Sequence, residues 1–127
     1  MAENNASFGL SQIGQICLTV NDLKQATDFY RNTLGMRFLF DAGNLTFFDC
    51  GGIRMMLGVA EQPDQPKIIL YYKVPDIEKA CETLSSRGVR IERRPSMIAR
   101  MPDHELWLAV LRDMDNNVFE LMSEVRK

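Results

Sequence analysis

The sequence predicts an α+β fold built from two βαβββ modules, and three observations carry that prediction. A strand-like run is followed by an amphipathic helix and three short strands, and the same order then occurs again. Residue types also recur at matching places in the two copies. Val20, Asp22 and Ala26 correspond to Val74, Asp76 and Ala80 at one constant offset. Asp49, Gly51 and Leu57 correspond to Asp113, Asp115 and Leu121 at a larger one, so the second copy has extra residues before its last hairpin. A duplicated module of this kind leaves sheet surface that it cannot cover alone, which requires the halves to pack together.

The first module spans about 13–60. Gln15 to Val20 is apolar and rich in strand formers, and Asn21 or Asp22 can cap the helix that follows. Leu23, Ala26, Phe29, Tyr30 and Leu34 recur at helical spacing, and Gly35 ends the run. Met36 to Phe40, Asn44 to Asp49 and Ile53 to Val59 read as strands, separated by Gly43-Asn44 and Gly51-Gly52 turns. The polar stretch 61–66, with two prolines, reads as a linker.

The second module spans about 67–124. Ile68 to Val74 is a strand, and Asp76 opens a helix with Ile77, Ala80, Cys81 and Leu84 on one face. Gly88 closes it. Val89 to Arg93 is a strand that Ser96 to Met101 continues after a break at Pro95; Glu105 to Arg112 and Asn117 to Met122 complete the set. The whole chain, 1–127, is expected to be one domain.

Composition narrows the function. The chain has 15 basic and 17 acidic residues and a formal net charge of −2, so it lacks the basic face that nucleic acid requires. Its densest positive cluster, Arg90, Arg93 and Arg94, is interrupted by Glu92 and reads as a solvated strand edge. Cys17, Cys50 and Cys81 are an odd, widely spaced set, as expected of reduced thiols in a cytoplasm. Met1 to Gln12 is polar and lacks the order of a signal peptide, and no apolar run is long enough to span a bilayer. The expectation is a soluble cytoplasmic protein with neither nucleic-acid nor membrane partners.

Val20-Asn21-Asp22-Leu23, Ala26, Phe29-Tyr30 and Leu34-Gly35-Met36, with the closing run from Asp113 to Leu121, resemble the vicinal oxygen chelate superfamily. That group includes glyoxalase I, bleomycin-resistance proteins, methylmalonyl-CoA epimerase and extradiol dioxygenases. The resemblance extends from Ile13 to Glu124. It implies a curled eight-stranded sheet around a small-molecule cleft, and it implies a homodimer, which the uncovered sheet surface also favours. It further implies inward residues from the first and last strand of each module, here Gln15, Met56, Ile69 and Glu120. Alternation along the strands would turn Gln15, Cys17 and Thr19 toward the cleft, and likewise Glu120.

As metal ligands these positions are uneven. Glu120 is a good donor and Gln15 an acceptable one, Met56 offers a thioether, and Ile69 has no donor. No cofactor is required, but the resemblance allows a divalent nickel, zinc, manganese or iron. A single histidine in the chain speaks against an extradiol dioxygenase, whose iron needs two. Glu120 is either a ligand or base, or else a carboxylate that is solvated or paired with an arginine such as Arg54. His104 is either an acid or base at the cleft edge or a loop residue beside Asp103 and Glu105. Arg54, Tyr71 and Trp107 join Gln15, Cys17, Thr19, Met56 and Ile69 as candidate substrate contacts. Two functions follow: a glyoxalase-like lyase or isomerase acting on a small oxygenated metabolite, and a metal-free protein that sequesters a small molecule.

Overall fold

A computed structural model describes residues 7–126. Residues 1–6, half of the polar N-terminal stretch expected to carry no leader, lie outside the described residues, as does residue 127.

The chain is α+β, with the βαβββ order present twice. The first copy contains β1 (Ile13–Val20), α1 (Leu23–Asp28), β2 (Arg37–Ala42), β3 (Leu45–Cys50) and β4 (Ile53–Val59). The second contains β5 (Ile68–Lys73), α2 (Ile77–Ser86), β6 (Arg90–Arg100), β7 (His104–Arg112) and β8 (Val118–Arg126). Their strand orders are the same: β2-β3-β4-β1 and β6-β7-β8-β5. In each, the first and last strands pair in parallel and the other neighbours are antiparallel. Two compact units result. One is Ile13–Leu70; the other combines the chain up to Gln12 with Tyr71 onward, so the division falls inside β5.

In the first unit, Asp22 accepts a hydrogen bond from the Gln25 backbone N–H at 2.9 Å and starts α1. The helix widens into a π turn over Phe29–Thr33, where the Leu34 N–H donates to the Phe29 carbonyl. Gly35, at φ +71°, then turns the chain into β2. Phe48, Met55 and Leu57 are buried under this helix, with Leu18, Val20, Leu23, Ala26, Tyr30 and Phe38 around them. Thr19 anchors the linker: its N–H donates to the Lys67 carbonyl and its hydroxyl to the Pro66 carbonyl.

The second unit repeats the logic. Asp76 caps α2 through the Lys79 N–H, and Gly88, at φ +90°, ends it. Ile77, Ala80, Cys81 and Leu84 pack on Ala109, Leu111 and Leu121. Ser96 onward continues the strand past Pro95: β6 is a single strand, and a register shift between Arg93 and Ser96 spans the proline. Proline lacks an N–H, and an edge strand with a bulge tolerates that loss. The closing turn is held by Asp113, whose carboxylate accepts from the Asp115 and Asn117 N–H groups and the Asn117 amide. These bonds hold its pKa below the usual carboxylate range.

Candidate functional site

In each unit the strands have one face under the helix and one helix-free face, and strand alternation decides which residues take which. In the second unit Tyr72, Phe119, Ile91 and Trp107 pack onto the helix-side core with Leu121, Ala109 and Leu111. Their strand neighbours therefore take the helix-free face. Tyr71 is opposite Glu120, Glu120 opposite Val110, and Val110 opposite Arg93. One row of four side chains thus crosses β5, β8, β7 and β6. Lys73 and Met122 form the next pair, and Lys73 reaches along the strand to Glu124 at 3.8 Å.

Glu120 is the chemically distinctive member. Burial raises its pKa to about 7, outweighing a hydrogen bond from the Tyr71 hydroxyl and the positive charge of Arg93, both of which favour the anion. Desolvation penalises charge most where a group is withdrawn from water. A carboxyl that changes protonation near neutrality can both take and return a proton. Tyr71 is itself buried, which fixes the position of its hydroxyl beside the carboxylate.

The first unit gathers Gln15, Cys17, Arg54 and Met56 on its helix-free face. Gln15 pairs with Arg54, and Cys17 with Met56. Phe47 lies opposite Met56 and stacks on Phe40 with ring centroids 4.7 Å apart. The Arg54 guanidinium lies 5.3 Å from the Phe47 centroid and 6.0 Å from that of Phe40, a cation–π arrangement. Arg54 is thus engaged with aromatic rings, and the arginine whose charge acts on Glu120 is Arg93. Thr19 shares the face, but its hydroxyl is committed to Pro66. Ile69, half-buried on β5, has the parity of Tyr71.

Two candidates fall elsewhere. Trp107 does not wall the helix-free face; it has the parity of Ala109 and Leu111, and its indole packs on the helix side and donates to Glu105. His104 starts β7, at the far end from Val110, roughly 20 Å away at about 3.3 Å per residue. Its Nδ1 lies 2.7 Å from Asp103, whose carboxylate also binds Arg126. These contacts hold the Asp103 pKa low, the histidine bond first. The His104–Asp103 pair is a strand-end contact and is not part of the Glu120 row. A cavity of about 390 Å³ lined by Phe8, Val74, Pro75 and Ala80 lies against α2, where it meets neither Glu120 nor Arg93.

The four positions implied as metal ligands hold one carboxylate, one amide, one thioether and one alkyl chain. A hard divalent ion prefers about three oxygen or imidazole donors. Among the described residues no three His, Cys, Asp or Glu side chains gather as such a group. The donor set does not fit a nickel, zinc, manganese or iron centre.

Residues 12–121 match the model of the Glyoxalase/Bleomycin resistance protein/Dioxygenase superfamily. The chain belongs to that superfamily. Within it, the chain is similar to the uncharacterized protein YraH of Bacillus subtilis (strain 168), 29% identical over 84% of this chain and 94% of the relative. Solved structures share the superfamily fold. A Mn(II)-bound glyoxalase from Novosphingobium aromaticivorans aligns with a TM-score of 0.71 and 18% identity, over 93% of this chain and 40% of its own. A methylmalonyl-CoA epimerase in complex with methylmalonyl-CoA and NH4+ aligns with a TM-score of 0.68 and 16% identity, over 94% and 99%. No helix among the described residues is long and apolar enough to cross a membrane.

Sequence reasoning places Glu120 and Tyr71 on one face but misses Arg93, which it treats as part of a solvated edge. The register shift between Ile91 and Arg93 breaks the alternation that would have revealed it.

Proposed function

We propose that this chain is a glyoxalase-like isomerase or lyase acting on a small oxygenated metabolite, by proton transfer at Glu120 and without a chelated metal. The observation that carries this reading is the Tyr71–Glu120 pair: a mostly buried carboxyl held by a buried phenol, titrating near pH 7. As the anion, Glu120 takes a proton from carbon next to a carbonyl. The C–H electron pair moves into the new C=C bond and the carbonyl pair onto oxygen. The same carboxyl then returns its proton to a neighbouring atom, giving an isomer, or to the original carbon.

The test is proton exchange in D2O, with chelator present, between small 2-oxo or 2-hydroxy carbonyl compounds and solvent, followed by ¹H NMR. Protein-dependent exchange that rises through about pH 7 and disappears in Glu120→Gln is expected. Equal exchange by the wild-type and Glu120→Gln proteins overturns the assignment.

A second reading, metal-free sequestration, is favoured by the Phe40–Phe47 stack with Arg54 above it, a platform for a planar ligand. Saturable binding of such a ligand, lost in Phe47→Ala and unaccompanied by any exchange chemistry, would support it. In both readings the protein is a cytoplasmic homodimer. The odd, widely spaced set Cys17, Cys50 and Cys81 supports a reducing compartment, and exposed Met97 and Ile98 on edge strand β6 support self-association. Sedimentation of the purified protein at micromolar concentration tests the dimer.

A further inference from the structure

Arg93 stands in the same row as Glu120 with only Val110 between them, so the two sit two strand spacings apart, roughly 10 Å between Cα atoms. Of the other arginines on these strands, Arg90 binds Asn116, Arg100 binds Glu105, Arg112 binds Glu92 and Arg126 binds Asp103, while the charge of Arg94 acts on Cys81 of α2. The guanidinium of Arg93 forms no hydrogen bond or salt bridge among the described residues. It is exposed on β6, beside an apolar floor and within electrostatic reach of a buried carboxyl. A guanidinium presents a planar fork of N–H donors that matches a carboxylate in bidentate fashion.

Building on the reading of Glu120 as base, we propose that Arg93 anchors a substrate carboxylate and that the substrate class is a small 2-oxo or 2-hydroxy acid anion. The carboxylate sits on Arg93, the carbon chain crosses Val110, and the carbon bearing the labile hydrogen lies under Glu120. The row thereby defines polarity as well as position. A fixed positive charge at one end selects anions, and the carboxyl at the other end handles the proton.

Pyruvate and its neutral ester, methyl pyruvate, serve as probes, with affinities measured by ligand-observed NMR on the full chain. Pyruvate is expected to bind the wild type saturably and to weaken about tenfold or more in Arg93→Ala, the loss expected for a charge-assisted pair. Methyl pyruvate should bind wild type and Arg93→Ala alike, and Arg93→Lys should retain part of the pyruvate affinity. Inorganic phosphate competing as well as pyruvate would overturn the carboxylate class. Unchanged pyruvate affinity in Arg93→Ala, or no saturable pyruvate binding to wild type, would overturn the anchor. The Glu120→Gln protein separates the two ideas: pyruvate binding retained without exchange supports both, whereas exchange that persists removes the base and leaves the anchor to be judged by binding alone.

Discussion

Tyr71 and Glu120 are direct partners on the parallel strands β5 and β8, and the Tyr71 hydroxyl hydrogen-bonds the Glu120 carboxyl. The bond opposes the burial that raises the carboxyl pKa, because it favours the anion. Removing the hydroxyl while keeping the ring should therefore push the pKa above its present value of about 7. A hydrogen bond to a charged group contributes about 1.5–3 kcal/mol, so Tyr71→Phe should raise the Glu120 pKa by roughly one unit or more. A ¹³C NMR titration of the glutamate carboxyls reads this directly. A Glu120 resonance that titrates unchanged in Tyr71→Phe would show that the phenol does not act on it.

The same carboxyl links stability to pH. In the unfolded chain Glu120 loses its proton near the ordinary 4.5, whereas in the native protein it keeps it to about 7. Between these values the native state holds more protons than the unfolded state, so its contribution to stability falls as pH rises, then levels off above about 7. At about 1.4 kcal/mol per pKa unit, and discounted for residual solvent contact, the penalty at pH 8 is on the order of 2 kcal/mol. Glu120→Gln carries no charge and should be more stable than wild type by about that amount at pH 8, yet similar to it at pH 4. Urea melts at the two pH values check this, and a pH-independent difference would contradict it.

How much of this was legible beforehand follows from where alternation is regular. Along β1, β5 and β8 no register shift occurs in the pairings, and residues such as Gln15, Tyr71 and Glu120 take the faces that a period of two assigns. On β6, shifts between Ile91 and Arg93 and between Arg93 and Ser96 change the parity twice, hiding Arg93 from any count along the chain. Trp107 had regular parity with Ala109 and Leu111; its side was readable, and only its aromatic character suggested a pocket wall. A raised pKa for Glu120 could be expected of a carboxylate on an apolar strand facing a cleft, whereas the size of the rise is set by desolvation in the fold.

The helix beneath the Glu120 sheet depends on one cap. Asp76 accepts from the Lys79 N–H at 3.1 Å, and α2 buries Ile77, Ala80, Cys81 and Leu84 against β7 and β8. Losing such a cap costs about 1 kcal/mol. Asp76→Ala should lower the urea midpoint accordingly, while Asp76→Ser or Asp76→Asn, which retain an accepting oxygen, should restore most of it. The carboxyl pKa at Glu120 should be unaltered in all three, since the cap stabilises the scaffold and does not contact the row.

Metal addition discriminates this chain from a metal-dependent member of its superfamily. Ligand-bound native states gain stability in proportion to the logarithm of ligand concentration over Kd, about 2.7 kcal/mol at a hundredfold excess. With Ile69 and Met56 at two of the four implied positions, nickel, zinc, manganese and iron(II) at tens of micromolar should leave the thermal midpoint unchanged, and chelator should do the same. Elemental analysis of protein purified without added metal should find well under one equivalent per chain. A full equivalent that disappears in Glu120→Ala would mean that donors outside the four positions complete a site, and it would return the chemistry to a metal-assisted route. Proton exchange that survives chelation but not Glu120→Gln is the opposite outcome, and it would leave the carboxyl, its phenol and the neighbouring guanidinium as the machinery.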